Sequence, residues 1–217
     1  MRITHFGHAC LLVEIADTRI LIDPGSFSTG FEAVRDLDAI VITHQHADHL
    51  DRERLPALLV ANRQAAVLTD SQTAELIESS GADVVTLAQG SDIVLGRVTA
   101  TPVGRLHAVN HDGVPRCANV GVVLRAEGEP SLYHPGDAYD GEPGDVDLLA
   151  VPVNAPWAKV SESIDFVRRI GPTGFIPIHD ALVSGIGRRM YVDHIGSWGG
   201  DDLRLHDLAD GQPVVFS

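Results

Sequence analysis

Short apolar runs separated by turn residues recur along most of the chain. A continuous apolar run bounded by turn residues is typical of a strand that is buried on both faces, and residues 39–42 form such a run. The same reasoning predicts strands at residues 2–6, 9–15, 19–22, 39–42, 66–69, 84–87, 92–95, 98–103, 120–125, 132–134, 148–153, 175–178, 203–205 and 214–216. The turn at residues 127–130 predicts that the strands on either side of it pair as a hairpin.

Helical spacing of apolar residues appears between these strands. Val160, Ile164, Val167 and Ile170 recur every three or four positions, and Gly171 ends the pattern. Two further helices are predicted at residues 51–63 and 71–80. Strands followed by interleaved helices and strands in both halves predict a layered α/β sandwich, with residues 1–217 in a single domain.

Composition and charge narrow the possible partners. The formal net charge is −14, from 30 acidic against 16 basic residues, and Lys159 is the only lysine. A nucleic-acid surface needs clustered basic residues, so this class of partner is disfavoured. The chain shows neither an apolar run of the roughly 18 to 20 residues that span a bilayer nor a signal-peptide pattern, which predicts a cytoplasmic protein without membrane contact. Two cysteines do not form a disulfide framework, and nothing indicates the oligomeric state.

The segment from Thr43 to His49 carries the strongest chemical signal. It places three histidines and an aspartate within six positions, directly after a predicted buried strand. Alternate residues of an extended segment point to the same side, so His44 and His46 can bind one cation. Asp48 and His49 lie beyond the bend and can face a second. Imidazole and carboxylate groups suit Zn²⁺, Mn²⁺ or Fe²⁺, whereas the competing interpretation is a polar loop with solvated histidines.

One cluster cannot saturate two cations, so further ligands must come from other strand ends. Polar side chains at the carboxyl ends of strands are where open α/β sheets present functional groups. Three later residues occupy such positions, namely His107, Asp137 and His179.

Taken together, these motifs resemble those of the metallo-β-lactamase superfamily. Residues 43–49 match its HxHxDH motif, residues 20–24 resemble its first motif, and the three later residues fit its remaining metal motifs in order. Residues 6–10, 133–137 and 177–179 are most similar to the branch that contains ascorbate-6-phosphate lactonase and many metal-dependent hydrolases.

The resemblance implies an αββα four-layer sandwich with two divalent metal ions, either Zn, Mn or Fe. It implies that Asp23 orders a ligand through a hydrogen bond without itself binding metal. The implied ligands are His44, His46 and His107 for the first ion, Asp48, His49 and His179 for the second, and Asp137 shared by both.

Two histidines compete with this assignment. His111 could replace His107 as the ligand. His107 is favoured, because it lies nearer the strand end and precedes a small residue. A hydroxyl residue often follows the motif histidine in this branch, and Ala108 stands there instead. His134 is a rival ligand, but a strand-end histidine hydrogen-bonded near the site is the favoured interpretation.

The expected function is metal-dependent hydrolysis, in which a hydroxide shared by two metals attacks a small, anionic ester, lactone or phosphoester. Asp48 and Asp137, the carboxylates beside this nucleophile, are the predicted catalytic residues. The alternatives are an iron-dependent redox enzyme on the same fold and a non-catalytic, metal-stabilised binding protein.

Several other residues allow two interpretations. His8 could bind substrate or be a structural histidine, and Trp157 could wall the mouth of the site or simply pack. Ser163 and Ser184 lack a nearby base pattern, which argues against a serine hydrolase. Surface or packing positions are expected for His5, His194 and His206.

Overall fold

Two seven-stranded mixed sheets pack face to face in the computed structural model, and helices cover their outer faces. The structure describes residues 1–217, apart from the side chain of Ser79. A large core cluster between the sheets contains apolar side chains from both of them, such as Val41 and Ile176. The site described below lies at one edge of this sandwich.

The first sheet combines the N-terminal hairpins with a parallel half. The strand order is β14-β1-β2-β3-β4-β5-β6, antiparallel up to β3 and parallel from β3 to β6. Its strands are β1 (Arg2–His5), β2 (Leu11–Ile15), β3 (Thr18–Ile22), β4 (Ala39–Ile42), β5 (Ala66–Thr69), β6 (Val84–Thr86) and β14 (Val214–Val215).

The second sheet repeats this arrangement. The strand order is β13-β12-β11-β10-β9-β8-β7, antiparallel from β7 to β10 and parallel from β10 to β13. The hairpin predicted around residues 127–130 is confirmed by the antiparallel pairing of β9 with β10. Its strands are β7 (Ile93–Leu95), β8 (Val98–Val103), β9 (Gly121–Arg125), β10 (Leu132–His134), β11 (Leu148–Pro152), β12 (Gly174–Ile178) and β13 (Arg204–Leu205).

Each sheet carries a pair of helices on its outer face. The helices are α1 (Leu55–Ala61), α2 (Ser71–Ile77), α3 (Val160–Ile170) and α4 (Gly185–Trp198), and short 3-10 turns cover Phe31–Ala33 and Glu78–Ser80. One core cluster joins α1 and α2 to the first sheet, and another joins α3 and α4 to the second. The predicted αββα sandwich is therefore confirmed.

The helix predicted at residues 51–63 is shorter in the structure. Asp51 accepts hydrogen bonds from the backbone N–H groups of Glu53 and Arg54, both 2.9 Å long, and so forms a turn before the helix begins. At the other end, the side chain of Asn62 donates to the carbonyls of Leu58 and Val34 and ends the helix. Local side-chain competition for backbone groups explains both boundaries.

Helix α4 is absent from the sequence-based predictions. It contains three glycines, and Ile186 and Met190 are exposed, so its apolar residues do not form the stripe that helical periodicity detects. The two short strands of the tail belong to different sheets, because β13 extends the second sheet and β14 pairs with β1 in the first. Among the residues described, no helix combines the length and apolar character needed to cross a bilayer.

Candidate metal centre

Strands that run in one direction bring the predicted site residues to a common edge of the sandwich. In the first sheet, β1, β3 and β4 share a direction, and in the second sheet β8, β10, β11 and β12 do. Their carboxyl ends therefore meet at one edge, and each is followed by a loop that carries a residue of the site. The residues on these loops are His8, Asp23, the segment 44–49, His107, Asp137, Trp157 and His179.

Backbone hydrogen bonds join the loops of the two sheets. The N–H of His179 donates to the carbonyl of His8 at 2.8 Å, and the N–H of Val120 donates to the carbonyl of Thr43 at 2.9 Å. Residues far apart in sequence are thus held in register by main-chain contacts, which position side chains more rigidly than free loops would.

The first group of potential ligands consists of His44, His46, His107 and Asp137. One ligand atom from each lies within 4.8 Å of the others. Nε2 of His44 is 3.0 Å from Nδ1 of His46, and Nε2 of His107 is 3.3 Å from Oδ2 of Asp137. Nδ1 of His107 donates to the carbonyl of Ala108 at 2.7 Å, which leaves Nε2 as the nitrogen that faces the group.

The second group consists of His8, Asp48, His49 and His179, again with ligand atoms within 4.8 Å of one another. Nε2 of His179 is 3.4 Å from Oδ2 of Asp48, and Nδ1 of His179 donates to the carbonyl of Asn154 at 2.7 Å. All seven predicted ligands thus lie in two neighbouring groups, and His8 joins the second.

Asp137 lies between the two groups. Its Oδ2 is 3.3 Å from Nε2 of His107 in the first group and 3.2 Å from Nε2 of His179 in the second. Its Oδ1 is 3.0 Å from Nε2 of His49. Its backbone N–H donates to Oδ1 of Asn119 at 2.9 Å, which fixes the start of the loop.

Buried polar atoms without hydrogen-bond partners test whether these residues fit a metal. Among the side chains described there are four such atoms, and three lie at the site: Nε2 of His49, Nε2 of His179 and Oδ1 of Asp137. These nitrogens lie 3.0 and 3.2 Å from oxygens of Asp137, but the contacts do not have the geometry of hydrogen bonds. Buried polar atoms are normally satisfied, so unsatisfied donor atoms that converge on one place fit the ligand set of a metal ion. The nitrogen and oxygen donors also suit Zn²⁺, Mn²⁺ or Fe²⁺.

Asp23 hydrogen-bonds to His49 of the second group without belonging to that group. Its fully buried carboxylate accepts hydrogen bonds from the Thr43 N–H at 2.7 Å, the Thr43 hydroxyl at 2.8 Å and Nδ1 of His49 at 2.7 Å. The last contact directs Nε2 of His49 toward Asp137. Such outer carboxylates fix the tautomer and orientation of a metal-binding imidazole.

Burial and neighbouring charges shift the pKa values of the site histidines in opposite directions. Burial lowers the pKa of His44 well below its ordinary value, and the neighbouring His49 adds to this effect. Burial also opposes charge on His49, but the carboxylates of Asp137 and Asp23 outweigh it and raise that pKa well above its ordinary value. Burial likewise opposes charge on His179, but the carboxylate of Asp137 outweighs it and raises the pKa of His179 to about 9. The carboxylates therefore favour positive charge on His49 and His179, while burial favours the neutral form of His44.

Strained backbone accompanies the site. His8, Asp23 and His179 have φ values of 51°, 49° and 61°, in the left-handed region that non-glycine residues seldom adopt. Non-glycine strain of this kind tends to occur where the surrounding structure must aim a side chain. Here His8 and His179 belong to the second group, and Asp23 hydrogen-bonds to its His49.

Of the two rival third-motif histidines, the structure brings His107 to the site. His107 is buried, whereas His111 is exposed and its Nδ1 accepts a hydrogen bond from the N–H of Gly113 at 3.0 Å. His134 is buried near Asp23, but its Nε2 donates to the carbonyl of Ala9 at 2.9 Å and its Nδ1 accepts from the N–H of Gly136. Both ring nitrogens of His134 are therefore occupied by backbone groups.

Three contacts at the site had no signal in the sequence. Nε1 of Trp157 donates to Oδ2 of Asp137 at 2.9 Å, and Nε2 of His8 is 3.1 Å from Oδ2 of Asp48. Sγ of Cys117 is 3.7 Å from Nε2 of His46. Each contact joins residues 20 to 71 positions apart, so no local pattern could reveal it.

The remaining histidines belong to neither group. His5 is buried and its Nε2 contacts the carbonyl of His8 at 2.9 Å. His194 is exposed on α4, and the half-buried His206 packs against Phe216.

Known proteins resemble this chain in sequence. A family model described as the beta-lactamase superfamily domain matches residues 2–179. The chain is 43 % identical to Protein Rv0786c of Mycobacterium tuberculosis over the full length of both chains. It is 30 % identical to a UPF0173 metal-dependent hydrolase of Methylobacterium nodulans, with 91 % of this chain and 98 % of the relative covered.

Solved structures show the same fold. The match to Igni18, a metallo hydrolase from the archaeon Ignicoccus hospitalis, has a TM-score of 0.76 at 19 % identity and covers 100 % of this chain and 98 % of that one. The family model covers well over half of the chain, so the superfamily predicted from the HxHxDH motif is confirmed. The chain belongs to the metallo-β-lactamase superfamily and is a metal-dependent hydrolase.

Proposed function

We propose that this chain hydrolyses a small ester, lactone or phosphoester with a pair of divalent metal ions. The observation that carries the proposal is the convergence of eight ligand-type side chains, the seven predicted ligands and His8, into two adjacent groups, with Asp137 in reach of both. One group alone would suit a mononuclear site, whereas two groups with a carboxylate between them suit a dinuclear one.

Each ion, which is Zn, Mn or Fe, has three ligands of its own and shares a fourth with the other ion. When bound, the two cations would supply a water of lowered pKa as the nucleophile and positive charge for the substrate oxygen. The proposed ligands are His44, His46 and His107 for the first ion, Asp48, His49 and His179 for the second, and Asp137 for both.

His8 is assigned a different role from the other members of the second group. Its Nδ1 accepts a hydrogen bond from the N–H of Ala181 at 3.3 Å, so Nδ1 carries no proton and Nε2 must carry one. A protonated Nε2 cannot bind a cation, but it can donate to Oδ2 of Asp48, 3.1 Å away. His8 thus orients Asp48 through this hydrogen bond.

The surroundings of the site favour a small, anionic substrate with an apolar part. Two carboxylates would only partly neutralise two divalent cations, so the loaded site attracts a small anionic group despite the acidic chain. Phe27, which is 45 % exposed, packs its ring against His8 with 5.2 Å between the ring centroids. The half-buried Trp157 borders Asp137. These two aromatic side chains can contact an apolar part of the substrate.

The test is a hydrolysis panel of esters, lactones and phosphoesters, run with metal-free protein and after addition of Zn²⁺, Mn²⁺ or Fe²⁺. His107→Ala is expected to lose at least about 100-fold in rate, because a proposed ligand is lost. His111→Ala is the matched control and should retain the wild-type rate, because His111 is exposed outside both groups.

Two results would contradict the proposal. One is the lack of metal-dependent hydrolysis on the whole panel. The other is oxygen consumption by the iron-loaded protein without hydrolysis, which would favour the redox alternative on the same fold. Equal losses in the two histidine variants would reject the ligand assignment.

A further inference from the structure

The indole of Trp157 makes a specific polar contact inside the proposed metal centre. It lies on the loop after β11, and Nε1 donates to Oδ2 of Asp137 at 2.9 Å. The ring packs edge-on against Tyr139, with 4.8 Å between the centroids. The hydroxyl of Tyr139 hydrogen-bonds to the carbonyl of Pro152 at 2.5 Å and to the hydroxyl of Ser163 at 2.7 Å. The donor is thus held in place by the second sheet and by α3.

The acceptor of this hydrogen bond is the oxygen that both groups approach. Oδ2 of Asp137 lies 3.3 Å from Nε2 of His107 and 3.2 Å from Nε2 of His179. These imidazole nitrogens can either carry a proton or bind a cation, whereas an indole N–H can only donate. Trp157 therefore differs from every other group at this oxygen, since its contact persists whether the imidazoles carry protons or cations.

We propose that Trp157 is a positioning residue that holds the carboxylate of Asp137 between the two groups. A free aspartate side chain can rotate about its carbon bonds, and a fixed donor on one oxygen restricts it to the orientation that serves both groups. The inference rests on the proposed function, because it treats Asp137 as the ligand shared by two cations. It predicts that loss of the N–H weakens metal binding even when the aromatic ring remains.

Trp157→Phe separates the hydrogen bond from packing, because phenylalanine keeps an apolar ring and lacks the donor. Trp198→Phe is the matched control, since Trp198 is the other tryptophan of the chain and is 60 % exposed at the end of α4. Each metal-free protein is titrated with Zn²⁺ in competition with a chromophoric chelator, and thermal unfolding of the metal-free protein is measured in parallel.

Trp157→Phe is expected to bind Zn²⁺ about 10 to 100 times more weakly than wild type, as is common when a group that orients a ligand is removed. Its visible spectrum with Co²⁺ should also differ from that of the wild type, because the surroundings of the shared carboxylate have changed. Trp198→Phe should match the wild type in both measurements.

Wild-type Zn²⁺ affinity and an unchanged Co²⁺ spectrum in Trp157→Phe would overturn this inference alone. An affinity loss that merely follows a large fall in the unfolding temperature of the metal-free variant, with an unchanged Co²⁺ spectrum, would also overturn it in favour of packing. Wild-type protein that binds no Zn²⁺ would overturn the proposed function together with this inference.

Discussion

At the scale of single residues, the carboxylate of Asp23 shows how a buried acid can serve a metal site without facing it. Three donors converge on its two oxygens, and one of them is Nδ1 of His49. The resemblance to the superfamily predicted a hydrogen-bonding role for Asp23. The identity of its partners depends on the fold, since Thr43 and His49 lie 20 and 26 positions away.

Asp23→Asn tests this role. An amide would place an N–H₂ group against at least one of the three donors, so a buried hydrogen bond would be lost. We expect the free energy of unfolding to fall by about 1 to 3 kcal/mol and metal affinity to fall by about 10- to 100-fold. Thermal unfolding and chelator competition measure the two effects.

Asp36→Asn is the matched control for that substitution. Asp36 is exposed and has a φ of 57°, a conformation that asparagine also tolerates, so little change is expected. If Asp23→Asn behaved like this control, Asp23 would not orient His49.

At the scale of secondary-structure elements, close approach between loops sets the position of the ligand segment. A Cβ atom added to Gly25 would lie 1.8 Å from the carbonyl oxygen of Asp48 and 2.5 Å from the backbone nitrogen of His49. The turn after β3 and the segment after β4 therefore touch through a position that only glycine can fill. A turn could be predicted from Pro24-Gly25, but this contact could not, because it depends on how β3 pairs with β4.

Gly25→Ala should therefore displace Asp48 and His49 while both sheets remain folded. We expect reduced metal binding with a nearly unchanged far-UV circular dichroism spectrum. Gly200→Ala is the control, because a Cβ atom there would meet only an ordinary contact, 3.8 Å from Leu203. Full metal binding by Gly25→Ala would show that the ligand segment is not constrained by this turn.

The N-terminal strands also carry a row of charges across three strands. Glu14 on β2 lies opposite Arg2 on β1 and Arg19 on β3, and its carboxylate accepts two hydrogen bonds of 2.6 Å from Arg2. The hydrogen bond from Arg2 holds the pKa of Glu14 below its ordinary value, although partial burial opposes this. A lowered folded-state pKa means that the stabilisation is present above the ordinary pKa and is lost as the pH falls through the folded value.

Glu14→Gln is accordingly expected to lower the unfolding temperature modestly at pH 7, and the difference from wild type should shrink as the pH falls below about 4. Glu53→Gln makes the same change of charge at an exposed loop position and should have little effect. A difference that stayed constant with pH would mean that the ionised form of Glu14 contributes nothing.

At the scale of the whole molecule, strand periodicity and the HxHxDH motif predicted the fold class and most strands, because buried parallel strands produce continuous apolar runs. Helix α4 was missed because its glycines and exposed apolar residues blur the helical pattern. The pairing of the tail strands with opposite sheets could not be predicted either, since two-residue strands carry no periodicity. At the site, residue types suggested the ligands, but only the fold brought Trp157 and His8 to their carboxylate partners.

The proposed function requires that one chain holds two cations. Calorimetric titration of the metal-free protein with Zn²⁺ or Mn²⁺ measures the number of bound ions, and we expect two equivalents per chain, with a rise in unfolding temperature as metal is added. Binding of a single equivalent, or of none, would contradict it.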